Sequence, residues 1–259
     1  MEFWHKQTKE TPLYPDILWS RPENKLSAGK LLIIGGNKNG FTSINQAYQI
    51  AQNTGAGSIR VVLPDALKKT LGPLGPYDFA PSTPSGSFAT KAFNDLLQQS
   101  TWADCVLLAG DMGRNSETAI LLEKFTSHYH GPLVVTKDTA DYFINFLPTI
   151  PDSSNITLII NLGQLQKLGT ALKFDTPFLL DMGVMMHAQA LHRFTKLHNF
   201  TIMTKDLNNI IVAKDGLVIT TNVQNQTDLW QTESAAKASV LLMQNPTKPL
   251  QSITTSVIV

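Results

Sequence analysis

Short apolar runs alternate with polar loops and amphipathic segments through most of this chain. Residues 31–34 form a continuous apolar run, as expected of a strand covered on both faces. A polar loop follows, then a predicted helix over about 44–53 that Gly55 ends in the left-handed conformation. A second apolar strand is predicted over 59–63. Residues 29–64 therefore predict one strand–helix–strand unit with a right-handed crossover between parallel strands.

The same alternation continues after this unit. Further strands are predicted at residues 105–109, 133–135, 156–160 and 200–203. Helices are predicted at residues 65–71, 88–99, 117–128, 139–146, 162–168, 181–197 and 234–243. Such alternation predicts an α/β fold with a mostly parallel central sheet and helices on both faces.

The C-terminal third shows a different pattern. Asp215-Gly216 separates two apolar β runs, 210–213 and 217–220, which predicts a β-hairpin. Residues 252–259 are apolar and β-branched, and they predict an edge strand. The methionines of the predicted 181–197 helix are expected to fill the core: Met182, Met185 and Met186.

The length of 259 residues fits one large α/β domain, predicted over residues 29–259. Residues 1–28 are proline-rich and predict an irregular N-terminal arm, with Trp4 and Trp19 as anchors on the domain or on a partner subunit. Residues 72–86 are rich in Pro, Gly and Ser, so they predict a surface loop that serves as a lid or an interface.

Composition narrows the classes of partner. With 21 basic and 20 acidic residues, the chain offers no electrostatic reason for nucleic acid or an anionic membrane as a partner. No apolar run approaches the ~18 residues of a membrane span, and the N-terminus lacks an apolar signal core, so the cytoplasm is expected. The single cysteine, Cys105, excludes an internal disulfide and is expected to be buried. The six histidines lack metal-ligand spacing, so no metal site is predicted.

A glycine loop at residues 35–40 follows the first predicted strand, at the edge where α/β sheets bind ligands. It precedes a helix for which Thr42 or Ser43 is the predicted N-cap, so its amides are candidates to meet an anion. Phe41 stands where a phosphate-binding P-loop has lysine. The alternative is a turn that needs positive φ at Gly35 or Gly40.

The order of motifs resembles a known family. The segments GKLLIIGGNKNG, NTGAGSIRVVLPD and ADCVLLAGDMGRNSET are similar to the opening motifs of the ADP- or ATP-dependent NAD(P)H-hydrate dehydratases, in the ribokinase-like superfamily. In the third segment, Gly110, Gly113 and Arg114 fit, whereas Asp111 replaces a proline. The resemblance implies a ribokinase-like fold, a homo-oligomer, and removal of water from hydrated NADH or NADPH with ADP or ATP and Mg²⁺.

Four departures from the family's motifs affect the positions that carry phosphoryl transfer in that family. The family's Gly-x-Gly-Asp motif has no counterpart, because no glycine follows Gly216. The family's His-Pro-Gly-Glu begins here with Asn161 and ends with Gln164, and amides cannot take a proton. Thr136 replaces the first of two aspartates, and Asp206 replaces a glycine beside the retained Lys205. The dehydration activity is therefore expected to be weak or lost, with no catalytic residue assigned and with Asp206 or Asp228 as possible replacement bases.

The loops after strands one, three and four are expected to share one rim. There Arg114 is a candidate partner of a phosphate, or else a helix cap or surface salt bridge. Asp138 is a candidate acceptor for a ribose hydroxyl, or else the cap of the 139–146 helix. The residues expected to bind an adenine nucleotide or an NAD(P)H-type dinucleotide are Gly36, Asn37, Thr42, Asp111, Gly113, Arg114, Asp138, Asn161 and Lys205.

Two other functions stay open at this point. The chain would act as a binding or scaffolding protein if it works through an oligomer surface or a bound nucleotide without catalysis. A small-molecule kinase of the same superfamily is the third hypothesis, and the missing aspartate of the Gly-x-Gly-Asp motif weakens it.

Overall fold

A computed structural model describes residues 2–72, 75–224 and 229–259. In this part of the chain, ten strands form one sheet. They are β1 Trp4–Gln7, β2 Lys30–Ile34, β3 Ser58–Pro64, β4 Tyr77–Ala80, β5 Cys105–Leu108, β6 Leu133–Thr136, β7 Ile156–Ile159, β8 Thr201–Asp206, β9 Asn209–Lys214 and β10 Leu217–Asn222. The strand order is β1-β10-β9-β8-β7-β6-β5-β2-β3-β4, and β9 alone among these strands runs against the others.

Helices cover both faces of the sheet. They are α1 Pro15–Trp19, α2 Thr42–Thr54, α3 Lys68–Leu71, α4 Phe93–Ser100, α5 Ser116–His128, α6 Lys137–Phe146, α7 Leu162–Ala171, α8 Val184–Leu197, α9 Trp230–Gln244 and α10 Pro249–Ser256. Among the described helices, none is both long enough and apolar enough to cross a bilayer.

The core has two layers because successive strand residues point to opposite faces. Leu31 and Ile33 of β2 pack with α2, α9 and α10, whereas Leu32 and Ile34 belong to the layer under α4 to α8. All four side chains are buried. The continuous apolar runs of the sequence are thus explained by burial on both faces, and the predicted mostly parallel sheet is confirmed.

Several local predictions are also confirmed. Gly55 ends α2 with φ +100°. The predicted hairpin is β9–β10, with Asp215 and Gly216 both at positive φ in its turn. Cys105 is fully buried within β5.

The predicted edge strand at 252–259 is wrong, because residues Pro249–Ser256 form α10. Proline suits the first turn of a helix, and Ile253 packs into the layer that α9 shares. Tertiary packing therefore overrides the β propensity of these branched side chains.

Two segments predicted to be irregular contain strands. Within residues 1–28, β1 pairs with β10 in parallel, and Trp4 Nε1 donates to Thr220 Oγ1 at 3.1 Å. Within residues 72–86, β4 pairs with β3. Trp19 is 87% exposed, so it is not an anchor on this domain. Edge strands of about four residues carry too little periodicity to be read from sequence.

The methionines of α8 do not fill the core as predicted. Met185 and Met186 are 47% and 51% exposed, and Met182 precedes the helix, which begins at Val184 rather than at residue 181. The apolar stripe of α8 is formed instead by residues such as Ala188 and Leu191, which are fully buried.

Candidate functional site

All strands except β9 end at the same edge of the sheet, and their following loops form one rim. Three of these loops are held together by hydrogen bonds. Gly36 N donates to Gly110 O at 3.0 Å, Asn37 Nδ2 donates to Asp111 O at 2.6 Å, and Gly113 N donates to Asp138 Oδ2 at 3.1 Å. The structure therefore brings together the sequence-based candidates that follow β2, β5 and β6.

The glycine loop does not present its amides to a ligand. Each amide from residue 35 to residue 40 donates to another group of the chain, at 2.8 to 3.3 Å. Positive φ occurs at Gly36, at +87°, instead of at Gly35 or Gly40. At Gly35, a Cβ would lie 2.5 Å from Gly110 O, so this glycine permits close approach of two loops.

A carboxylate from another loop caps the start of α2. Ser43 N donates to Asp111 Oδ2 at 2.8 Å, and Ser43 Oγ donates to Asp111 Oδ1 at 3.0 Å. The prediction of Thr42 or Ser43 as the N-cap is therefore wrong: α2 begins at Thr42, which is exposed, and Phe41 at the cap position makes no side-chain cap bond. A long-range cap of this kind has no local sequence pattern.

Lys137 belongs to the same cluster and was missed by sequence reasoning. Its Nζ donates to Ser43 Oγ at 2.7 Å. Lys137 and Asp111 both have positive φ, at +53° and +56°, which is uncommon for residues that carry a side chain. The one available signal was a charged residue two positions after the strand predicted at 133–135.

The cleft beside these loops has a volume of about 400 Å³. It lies between the start of α5 and the outer face of α6, with α7 contributing Lys167. Arg114 lines it, is exposed, and makes no hydrogen bond or ion pair with any described residue. Asn115 caps α5 by accepting from Glu117 N at 2.8 Å. The capping and salt-bridge alternatives for Arg114 are thus not realised.

Asp138 lines the same cleft, within the first turn of α6. The prediction that it caps this helix is wrong, because α6 begins at Lys137 and the N-cap position is Thr136. Its Oδ1 is buried and has no hydrogen-bond partner among the residues that the structure describes. Burial raises the pKa of this carboxyl, and the nearby Asp111 charge raises it further. A hydroxyl donor would satisfy the free oxygen.

Tyr142 fixes the loop that carries Arg114. Its hydroxyl donates to Gly113 O and accepts from Asn115 N at 2.9 Å. Burial raises the pKa of Tyr142. The cleft is therefore built on a loop whose backbone is held by a side chain of α6, and Arg114 extends from that loop.

The candidate Asn161 serves a structural purpose. Asn161 and Gln164 form a capping box at the start of α7, with Gln164 N donating to Asn161 Oδ1 at 2.9 Å. Gln164 Nε2 also donates to Lys137 O at 2.7 Å and to Asp141 Oδ2 at 3.1 Å, while its Oε1 accepts from Gln231 Nε2 at 3.2 Å. Both amides are thus used within the fold.

At the end of β8, the Asp206 carboxylate is also bonded within the fold. Asp206 Oδ2 and His187 Nδ1 are 3.0 Å apart, with side chains 11% and 3% exposed. Lys205 has no hydrogen-bonding or ionic partner in the described ranges, and by strand alternation it faces α9 rather than the α5–α6 cleft. Asp228 lies outside the described residues, and Glu233 pairs with Lys237 at 2.6 Å.

Comparison with known proteins defines the class of fold. No family model matches the sequence, and no curated protein sequence matches it. The chain is similar to a ribokinase-like superfamily protein from Enterococcus faecalis V583, at 15% identity and a TM-score of 0.73, over 100% of this chain and 87% of that chain. The predicted ribokinase-like α/β fold is confirmed.

Two further structures are of particular enzymes. One is the ADP/ATP-dependent NAD(P)H-hydrate dehydratase from Bacillus subtilis, co-crystallised with ATP and Mg²⁺, at 10% identity and a TM-score of 0.63, over 95% of this chain and 86% of that chain. The other is an ADP complex of Bacillus subtilis pyridoxal kinase, at 12% identity and a TM-score of 0.58, over 88% of each chain. These likenesses establish the fold, and the dehydratase family remains a hypothesis.

Proposed function

We propose that this protein binds an adenine nucleotide or an NAD(P)H-type dinucleotide at the rim, and that ADP- or ATP-dependent dehydration of hydrated NAD(P)H is weak or lost. The observation that carries the binding role is a cleft of about 400 Å³ that is lined by the exposed Arg114 and by Asp138, whose Oδ1 is buried and has no partner in the described part of the chain. Arg114 offers a guanidinium without a partner among the described residues, and Asp138 offers a buried oxygen that lacks a donor.

These two groups match the two kinds of polar group in a nucleotide. A phosphate would accept bidentate hydrogen bonds from Arg114, and a ribose hydroxyl would donate to the carboxylate of Asp138. Lys167 adds positive charge at the cleft edge, although its Nζ already donates to Asp141 Oδ1 at 2.9 Å. That fold neighbours were crystallised with ATP and Mg²⁺ or with ADP supports this class of ligand.

The residues at the ends of β7 and β8 support the loss of dehydration activity, because their polar side chains already bond within the fold. Asn161 and Gln164 stand where the resembled family has titratable groups, and both are held in the capping box. Asp206, a possible replacement base, is paired with His187. Phosphoryl transfer needs a base and donors aimed at the phosphates, and no glycine is available after Gly216 to form such a cradle.

Calorimetry tests the binding role with NADH, ADP and ATP, each with and without Mg²⁺. We expect Arg114→Ala to weaken binding of the phosphate-bearing ligand by about tenfold or more, because a charge-assisted hydrogen bond contributes about 1.5–3 kcal/mol. Arg21→Ala is the matched control, since Arg21 is also exposed but lies between α1 and β2. Binding of no nucleotide, or equal affinity in both variants, would contradict the proposal.

An activity assay tests the second part of the proposal, which is that dehydration of hydrated NAD(P)H is weak or lost. Hydrated NADH is followed with ADP and Mg²⁺, and we expect turnover far below the order of one per second that ordinary enzymes reach. A normal turnover would show that another carboxylate has taken over proton abstraction.

A scaffolding role is the second candidate, and one observation favours it. Leu180, which precedes α8, and Met185 and Met186, in the first turn of α8, are all exposed. Surfaces of this kind often contact other proteins. Absence of nucleotide binding together with a defined oligomer would favour this role over the first.

A further inference from the structure

A second cavity lies at the opposite edge of the sheet from the rim, where β7 and β8 begin. Its volume is about 540 Å³, which is typical of small-molecule sites. It is bounded by the loop that precedes β7, by the end of α8 and by the turn of the β9–β10 hairpin. Ile150, Leu172 and Leu197 are among the apolar side chains of its wall. The proposed nucleotide site at the rim does not account for this cavity.

Hydrogen bonds hold the loops of this cavity in place. Ser153 Oγ donates to Asn199 Oδ1 at 2.6 Å, and Asn199 Nδ2 donates to Asp152 Oδ1 at 2.8 Å. Lys214 Nζ donates to Asn199 O at 2.8 Å. Asn199 therefore connects the loop before β7 to β9. Because these loops are already ordered, a ligand would not bear the entropic cost of ordering them.

An imidazole without a polar partner lines the cavity. The His198 ring is stacked on Phe200, with centroids 5.6 Å apart, and contacts Phe194 at 4.8 Å, so aromatic neighbours fix its orientation. Neither ring nitrogen has a hydrogen-bond partner among the described residues, and neither is fully buried. Burial lowers the pKa of His198. The ring is therefore neutral at physiological pH and offers one donor and one acceptor.

Charges of both signs surround the cavity and offset each other. Lys196 and Asp215 carry opposite charges on its wall. Lys214 Nζ lies 3.9 Å from Asp215 Oδ2, and the Asp152 carboxylate also acts on this ammonium. The end of α8 adds a partial negative charge near Lys196 in its last turn. A charged ligand would meet a like charge as well as an opposite one and would lose hydration, whereas a neutral ligand avoids both costs.

We infer that this cavity is a second small-molecule site, which binds a neutral aromatic ring that carries a carboxamide or a similar uncharged polar group. The carboxamide has both a donor and an acceptor, so it can bond either nitrogen of the neutral His198 ring. The aromatic ring packs against the apolar wall formed by side chains such as Ile150 and Leu172. The site lies at the other edge of the sheet from Arg114, so it does not depend on the proposed nucleotide binding.

Three probes with the same ring test the preferred charge: benzamide, benzoate and benzylamine. With the backbone amides of Ser153 and Phe200 followed by NMR at neutral pH, we expect benzamide to give saturable shifts. Its Kd should be on the order of millimolar, as for other ligands with so few atoms. Benzoate and benzylamine should each bind about fivefold more weakly, because each brings an unmatched charge. Absence of a saturable benzamide shift, or tighter binding of either charged probe, would overturn the inference.

His198→Phe tests the role of the imidazole, because it keeps the ring that stacks on Phe200 and removes both nitrogens. We expect it to weaken benzamide binding by about fivefold through the lost hydrogen bond. His130→Phe is the matched control, since His130 is exposed and does not line the cavity, and its benzamide affinity should equal that of wild type. Unchanged affinity in a folded His198→Phe would also overturn the inference, and the three-probe series decides if that variant does not fold. Loss of nucleotide binding in Arg114→Ala bears on the proposed function alone.

Discussion

The two halves of the rim differ in whether their polar groups are satisfied. After β5 and β6, Arg114 and Asp138 Oδ1 have no partners among the described residues. Beyond β7, Gln164 uses both ends of its amide, and at the end of β8 Asp206 is paired with His187. Equivalent positions at one sheet edge thus serve different purposes: the second half holds the fold together, and the first retains capacity for a ligand.

Gln164→Glu should have the largest effect on stability. The substitution is isosteric, yet it replaces an amide donor with a carboxylate oxygen facing Lys137 O and the Asp141 carboxylate. We expect a loss of about 3 kcal/mol in the free energy of unfolding, from two lost hydrogen bonds of a buried side chain and a like-charge contact with the half-exposed Asp141 carboxylate. Chemical denaturation at neutral pH measures it.

Gln49→Glu is the control for that variant. Gln49 lies in α2, is exposed, and makes no side-chain hydrogen bond with the described part of the chain. A surface change of this kind should stay within about 0.5 kcal/mol. Equal effects of the two substitutions would contradict the difference between the half of the rim at β7 and β8, whose polar groups bond within the fold, and the half after β5 and β6, whose polar groups lack partners.

The His187–Asp206 pair should show the next largest effect. In a double-mutant cycle with His187→Leu and Asp206→Ala, we expect a coupling energy of about 2 kcal/mol, because both side chains are nearly buried. The comparison pair is Arg193 and Asp175, which are 55% and 70% exposed at a distance of 2.7 Å. Its coupling should be below about 1 kcal/mol. Reversal of this order would show that burial does not set the strength of these contacts.

Asp138→Asn should give a smaller effect, of opposite sign and dependent on pH. Burial raises the pKa of Asp138 in the folded state, so the folded protein binds the proton more tightly than the unfolded chain. The stability from this group is complete below the ordinary carboxyl pKa of about 3.9 and is lost as pH rises through the higher folded value. Asparagine does not ionise, so the Asp138→Asn variant does not lose this stability as pH rises.

Thermal unfolding of both proteins across pH tests this. The variant should gain stability relative to wild type as pH rises from about 4 toward neutrality, and then hold a constant difference. A difference in stability between the two proteins that is constant across the whole pH range would contradict the claim that the ionised Asp138 carboxylate destabilises the fold.

The fold was largely predictable from the sequence because burial on two faces leaves continuous apolar runs, as in β2 and β5. The shared rim followed from that topology. What escaped prediction depends on contacts between distant residues. Replacement of a proline by Asp111 gives no sign that its carboxylate caps α2, and the pattern of Asn161 and Gln164 does not show that Gln231 and Asp141 complete their bonding.

Met186→Glu should have the smallest effect on the isolated chain. Met186 is 51% exposed on α8, one residue before the buried His187, so a charge there remains solvated. We expect a change within about 0.5 kcal/mol in the free energy of unfolding at low protein concentration. A loss above about 1 kcal/mol would show that the Met186 side chain packs against other residues. The outer surface of α8 would then belong to the half of the rim, at β7 and β8, whose side chains hold the fold together. Light scattering of the same variant tests the expected homo-oligomer, since a charge within a subunit interface would shift the protein toward smaller species.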